Sequence, residues 1–177
     1  YRRKLLKNQP RLRNVLEQAA ENSSWGGKLP KGLARGIAIV EDKGSICAQV
    51  AEISIENSQV KIHRVTCALD CGQVIHPGIV KSQTVGSVVY GLSAALYGEI
   101  TIKKGKVTQN NFDDYPLLGI HEMPKVDVHL VDSNEEPGGA GEPAVPPAAP
   151  AVTNAIFALT GQRIRSLPVS LNGMRTM

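Results

Sequence analysis

The sequence has 177 residues, an apolar fraction of 42% and a formal net charge of +4. This composition is typical of a globular chain with a core and excludes a disordered tail. The basic residues concentrate near the two ends and are not interleaved with aromatic residues, so we do not expect a nucleic-acid-binding surface.

The first 22 residues predict a helix in two pieces, with Pro10 in the first turn of the second piece. Apolar residues at helical spacing indicate one packed face on this second piece, made by Leu12, Val15, Leu16 and Ala19. Glycine and proline then predict a loop over residues 23–30. We expect Trp25, within this loop, to fill a gap in the core.

Three β-prone runs follow, at residues 34–40, 45–55 and 59–68. The separators, residues 41–44 and 56–58, have the length of tight hairpin turns, so the sequence predicts an antiparallel meander. Apolar and polar residues alternate in part of the second run. This alternation predicts a sheet with one buried face and one face in water.

The next segment, residues 79–97, predicts a central helix. Small residues along it favour close approach by neighbouring backbone: Gly86, Ser87, Gly91, Ala94 and Ala95. A hairpin over residues 98–109, an irregular stretch and a strand over residues 124–131 complete this part of the chain. The weakly polar run at residues 84–97 is too short to span a bilayer, and no signal-peptide segment is visible at the N-terminus.

A glycine-rich loop follows that strand: Pro137-Gly138-Gly139-Ala140-Gly141-Glu142-Pro143. Prolines suited to a first helical turn and an apolar stripe then predict a helix that ends at Gly161. Glu142 is therefore expected near a helix N-terminus, which suits an anionic partner. The motif lacks the Lys-Ser/Thr of a phosphate-binding loop and the spacing of a dinucleotide fingerprint, and an ordinary turn remains an alternative.

Helices and hairpins alternate irregularly along the chain, which predicts an α+β fold with an antiparallel or mixed sheet and packed helices. We expect residues 1–177 to form a single α+β unit.

Neither a disulfide framework nor a protein-bound metal is expected from the three cysteines, Cys47, Cys67 and Cys71. His63, Cys67 and Cys71 are spaced by four, but strand residues four apart are roughly 13 Å apart. Small buried thiols are the simpler interpretation. For Cys71, which follows Asp70 in a turn, partial exposure is the alternative. No Ser/His/Asp arrangement is recognisable.

Three groups of motifs resemble the large subunits of molybdenum hydroxylases, the xanthine oxidase and aldehyde oxidoreductase family. They are residues 138–143 with the helix after them, residues 70–77, and residues 91–100 with residues 111–116. The similarity is closest to the isoquinoline 1-oxidoreductase beta subunit branch. It covers nearly the whole chain, and it corresponds to the C-terminal part of the molybdopterin-binding region of a longer, bacterial subunit.

The resemblance implies an oxidoreductase that hydroxylates an N-heterocyclic aromatic, isoquinoline-like substrate or an aldehyde, with water as the oxygen source. It implies molybdopterin cytosine dinucleotide with molybdenum, which the cofactor itself ligates. Glu142 corresponds to the family's general base. Gln83 and the loop residues correspond to cofactor-binding positions: Gly138, Gly139, Ala140 and Gly141.

The family resemblance also implies partners: the N-terminal remainder of the same subunit and a separate [2Fe-2S] subunit that accepts electrons. We then expect the isolated fragment to be inactive. The sequence does not predict whether its compartment is the bacterial cytoplasm or the periplasm. The family's Gln-x-Glu-Gly-Gly appears here as Gln83-Thr84-Val85-Gly86-Ser87. Because this departs from the family pattern, a catalytically silent scaffold or subunit-docking lobe is the alternative function.

Overall fold

The computed structural model describes residues 1–170. Its helices are α1 (Arg2–Leu5), α2 (Pro10–Asn22), α3 (Pro77–Leu96) and α4 (Ala148–Thr160). Its strands are β1 (Leu33–Asp42), β2 (Ser45–Glu56), β3 (Gln59–Asp70), β4 (Ile102–Lys103), β5 (Lys106–Val107) and β6 (Lys125–Leu130). Two short 3-10 turns, Phe112–Asp114 and Ile120–Glu122, precede β6. The α+β class is confirmed, and so are the two-piece helix and the helix that ends at Gly161.

Four strands form one sheet in the order β1-β2-β3-β6. The first three pair as the predicted antiparallel meander, with Asp42 opposite Ser45 across the first turn. The last strand, β6, lies parallel to β3, with Leu130 opposite Leu69. The sheet is therefore mixed, and the crossover through α3 makes the parallel pair possible, because parallel strands need a long connection. The short strands β4 and β5 form a separate hairpin.

Helices cover both faces of the sheet, so the expectation of one face in water was wrong. On one face, α2 packs with the β2 residues Ile46, Ala48 and Val50. On the other, α3 and α4 pack with Cys47, Ala51 and Ile53 from the same strand. Since successive strand residues point to opposite faces, β2 becomes apolar on both sides.

Trp25 departs from its expected position in the core, whereas Cys71 is the buried thiol that the simpler interpretation predicts. Trp25 is 43% exposed rather than in the core. The chain leaves α2 through Ser24 in the left-handed conformation (φ 53°), and the indole borders a surface cavity beside Ala20 and Ile37. Cys71 is only 4% exposed, because the segment after β6 covers it, with the Gly138 N–H donating to the Cys71 carbonyl.

The predicted close approach to α3 is confirmed at Gly91. A Cβ on this glycine would lie 2.7 Å from the carbonyl oxygen of Val145, in the segment that leads into α4. This contact brings one face of α3 against the end of the glycine-rich loop. None of the helices described is long and apolar enough to cross a bilayer.

Candidate functional site

The first half of the glycine-rich loop is docked on the turn between β1 and β2. The Gly139 N–H donates to the Lys43 carbonyl at 3.0 Å, and the Ser45 hydroxyl donates to the Gly139 carbonyl at 2.6 Å. A Cβ on Gly138 would lie 2.5 Å from Ser45 Oγ and 2.9 Å from the Gly44 carbonyl carbon. Gly138 is therefore required by close packing against the turn.

The turn itself follows from local sequence. Lys43 and Gly44 have φ values of 50° and 77°, the two positive values of the tight hairpin turn that matches strand twist. Such a turn leaves the Lys43 carbonyl and the Ser45 hydroxyl directed at a neighbouring segment. The β1–β2 hairpin thus forms a rigid base for residues 137–140.

The second half of the loop is open. Gly141 and Glu142 are exposed, and a Cβ on Gly141 would meet no atom within 4 Å. From the opposite side, the Ser87 hydroxyl of α3 donates to the Gly141 carbonyl. Ser87 stands where the family motif has its second glycine, so this departure adds a bond between helix and loop.

A cavity of about 490 Å³ lies between this open half and α3. Its walls are Asp42, Gln83, Gly86, Ser87, Tyr90, Gly141, Glu142, Val145 and Pro146. The α3 members are spaced by three and four residues and so share one face of the helix. Three of the site residues expected from sequence, Gln83, Gly141 and Glu142, are brought together here.

The other three expected residues do not line this cavity. Gly138 and Gly139 pack against the β1–β2 turn, and the side chain of Ala140 packs against the core beneath α3 and α4. The cavity also contains residues that sequence reasoning missed, among them Asp42 and Tyr90. The sequence predicts Asp42 only as part of a turn. No local pattern connects this residue to a loop one hundred residues later.

The Glu142 carboxylate is paired with an ammonium group. Lys43 Nζ lies 2.7 Å from Glu142 Oε2, and the two side chains are 62% and 71% exposed. The hydrogen bond from Lys43, together with its charge, lowers the pKa of Glu142 below its ordinary value. Glu142 is therefore ionised at neutral pH, which is the form that accepts a proton. Sequence reasoning missed Lys43, because the pairing joins residues 99 apart.

The remaining candidate residues serve the core or the surface. Cys47 and Cys67 are fully buried on adjacent strands, with their Sγ atoms 3.3 Å apart. His63 Nε2 lies 2.8 Å from the Ser54 hydroxyl. In residues 1–170, no group of three or more His, Cys, Asp or Glu side chains is arranged to hold a metal ion.

Two further cavities, of about 450 and 720 Å³, lie elsewhere on the molecule. The first borders the β2–β3 turn and contains Tyr97, whose hydroxyl donates to Glu122, and this bond raises the pKa of Tyr97 to about 12. The second borders β6. Neither contains a site residue expected from the sequence.

Comparison with known proteins gives this geometry a family context. Residues 38–124 match the molybdopterin cofactor-binding domain family. The chain is also 35% identical over 169 residues to the isoquinoline 1-oxidoreductase beta subunit of Brevundimonas diminuta, a match that covers 93% of this chain and 22% of the relative. The chain belongs to the molybdenum hydroxylase family.

The chain is also similar to a second relative in sequence and to a solved structure in fold. A membrane-bound aldehyde dehydrogenase [pyrroloquinoline-quinone] of Gluconacetobacter polyoxogenes is 33% identical over 162 residues, covering 88% of this chain and 21% of that protein. The crystal structure of quinoline 2-oxidoreductase from Pseudomonas putida 86 matches the fold with a TM-score of 0.67 at 20% identity. That match covers 74% of this chain and 19% of the other. This chain therefore spans about a fifth of the length of these relatives.

Proposed function

We propose that residues 1–177 form one α+β unit, the C-terminal part of the molybdopterin-binding region of a molybdenum hydroxylase subunit. The whole subunit would oxidise an N-heterocyclic aromatic or an aldehyde, with water as the oxygen source. One observation carries the proposal: Glu142, Gly141 and Gln83 line a single cavity in a chain of this family. We further propose that the N-terminal remainder of the subunit closes this cavity and that a separate [2Fe-2S] subunit accepts the electrons.

The residues around the cavity fit a bulky cofactor. Gly86 and Gly141 both face it, and a Cβ on either would point into open space. Gln83 supplies an exposed amide that donates and accepts hydrogen bonds. Gly141 allows the backbone to approach a large group closely. We propose that these residues contact molybdopterin, in its cytosine dinucleotide form, and that Gly138, Gly139 and Ala140 support them by holding the loop to the hairpin.

Glu142 would act as the general base. A bound molybdopterin centre would supply the electron acceptor for the substrate's two electrons. The Glu142 carboxylate would take the proton from the water-derived oxygen as that oxygen attacks the electron-poor carbon, and the C–H bond that breaks at this carbon would release the two electrons to the bound centre. A glutamate is already ionised at neutral pH at its ordinary pKa, and Lys43, which lowers the pKa of Glu142, keeps the carboxylate in its proton-accepting form to lower pH.

Replacing Glu142 by Gln in the complete, cofactor-loaded enzyme tests this role. We expect kcat to fall by at least about 100-fold, since a general base contributes a factor of this order, while molybdenum content is unchanged. Elemental analysis and steady-state kinetics on the same preparations measure both. Glu136→Gln, an exposed glutamate in the segment leading to the loop, is the matched control and should keep full activity. Turnover retained by Glu142→Gln would refute the role.

The alternative is a catalytically silent scaffold, favoured by the absence of the family's acidic residue at Val85 and by Ser87 in place of glycine. The two functions differ in cofactor content. Near-stoichiometric molybdenum in the intact subunit supports the enzyme, whereas a correctly folded subunit without molybdenum supports the scaffold.

A further inference from the structure

Lys43 contacts both halves of the glycine-rich loop. Its carbonyl accepts the Gly139 N–H at 3.0 Å, and its Nζ lies 2.7 Å from Glu142 Oε2. A Cβ on Gly139 would approach Lys43 Cβ to 3.3 Å, so the loop runs directly over this residue. The main chain of Lys43 thus fixes where the loop begins, and its side chain reaches the carboxylate where the loop ends.

The backbone conformation of Lys43 is unfavourable for a lysine. Its φ of 50° lies in the left-handed region, where Asn, Asp and Gly are the preferred residues. A turn requirement alone therefore favours a different side chain at this position. The case for a role of the Lys43 side chain therefore rests on its contact with Glu142.

The chain contains a matched second turn. Lys104 and Gly105 connect β4 to β5 with φ values of 48° and 74°, nearly those of Lys43 and Gly44. This second lysine lies exposed on the separate two-stranded hairpin, and a Cβ added at its neighbour Gly105 would meet no atom within 4 Å. The same turn geometry thus occurs at Lys43, whose side chain contacts the Glu142 carboxylate, and at Lys104, which serves as the matched comparison.

We propose that Lys43 is a positioning residue for Glu142, an inference that rests on the proposed role of Glu142 as the base. Lys43 Nζ binds Oε2, which orients the carboxylate and leaves Oε1 to accept the proton. Because β1 and β2 fix the turn, the Lys43 backbone that carries the ammonium group is positioned independently of the exposed half of the loop.

The charges around this pair favour an ionised contact. Asp42, Tyr90 and Glu142 are the titratable groups that line the cavity in the described part of the chain. The hydrogen bond to Glu142, with the charges of Glu142 and Asp42, raises the pKa of Lys43. Lys43 in turn lowers the pKa of Glu142. Without the lysine charge, Glu142 would bind a proton at higher pH, and the base would be lost earlier on acidification.

The test uses the complete, cofactor-loaded enzyme and three variants: Lys43→Met, Lys43→Arg and Lys104→Met. We expect Lys43→Met to move the acid limb of the kcat/KM profile to higher pH. On that limb kcat/KM should fall about two- to fivefold, the size expected for an exposed ion pair. Lys43→Arg should restore the wild-type profile, and Lys104→Met should not change it. Molybdenum content should be equal in all four proteins.

A second readout does not depend on the loaded enzyme. In the cofactor-free subunit, isotope-edited infrared titration follows the Glu142 carboxylate, which is assigned by its disappearance in Glu142→Gln. This titration should move to higher pH in Lys43→Met and not in Lys104→Met. Unchanged titration and an unchanged acid limb would overturn the proposal. If instead Glu142→Gln keeps its turnover, the proposed function fails, whatever Lys43 does to the titration.

Discussion

The two halves of the glycine-rich loop use the same residue type for different physical reasons. At Gly138 a side chain would collide with Ser45 and Gly44, which already occupy the space where a Cβ would lie. At Gly141 the space is empty and opens into the cavity with Gln83. The anchored half packs closely on the hairpin, whereas the open half is a surface available to another molecule.

The glycines of one loop can therefore have different structural roles, one set by close packing and the other by open space. The anchored half holds the loop in place, so the open half presents Glu142 at a defined point beside α3. Changes to the two halves should therefore separate stability from activity. The predictions below, in order of decreasing effect on stability, test this separation.

The largest effect is expected at Asp70 of β3, whose partner Arg11 also donates to the Gly44 carbonyl in the turn beneath the anchored half. Both its oxygens accept hydrogen bonds from Arg11 at 2.8 Å, and Oδ1 also accepts the Gly72 N–H at 3.0 Å. The carboxylate is 3% exposed. Asp70→Asn should lower the free energy of unfolding by about 2–3 kcal/mol, since it removes charge-assisted bonds. Chemical denaturation measures the loss, and Asp132→Asn, an exposed aspartate, is the control.

The ionisation of Asp70 should also make the stability of the protein depend on pH. Burial acts to raise its pKa, but the hydrogen bonds from Arg11 and Gly72 outweigh this and lower it. A carboxylate with a lowered pKa in the folded state stabilises the protein above its ordinary pKa. That contribution is lost as the pH falls through the folded-state pKa. The stability of the wild type should thus fall on acidification more steeply than that of Asp70→Asn, and parallel curves would contradict the prediction.

The next largest effect on stability is expected from alanine substitutions at Gly138 and Gly141. Gly138→Ala should cost about 1–3 kcal/mol, because the hairpin backbone must shift to accept the methyl group. Gly141→Ala should change stability by less than about 0.5 kcal/mol, since its Cβ meets no atom. In the loaded enzyme, Gly141→Ala should nevertheless reduce cofactor content or turnover. Equal destabilisation by both substitutions would show that the loop is not divided in this way.

The smallest effects on stability are expected from alanine substitutions at Ser45 and Ser87, the two serines that donate hydrogen bonds to the loop. Ser45 is fully buried and donates to the Gly139 carbonyl, so Ser45→Ala should cost about 1 kcal/mol. Ser87 donates to the carbonyl of Gly141, an exposed residue that water can reach. Ser87→Ala should therefore cost less, about 0.5 kcal/mol. Thermal unfolding of the two variants side by side gives the ranking, and the reverse order would contradict the division into anchored and open halves.

Local rules account for most of the elements that the sequence predicted correctly. The meander follows from β-prone runs separated by turns such as Lys43-Gly44, and α4 follows from prolines at its start and Gly161 at its end. The family assignment follows from the motif around Glu142. Each of these signals lies within a short stretch of chain, where backbone conformation and side-chain type are directly linked.

The sequence by itself thus determined the order and type of the main elements and the family, and it selected Glu142 as the residue whose role remains to be tested. Only the tertiary structure decided that helices cover both sheet faces, that Trp25 lies at the surface, and that Lys43 meets Glu142. It also decided which glycines are anchored and which are open. The loop–hairpin contacts join residues about one hundred positions apart. The covering of the sheet and the position of Trp25 depend on how whole elements pack, and local sequence does not encode either kind of contact.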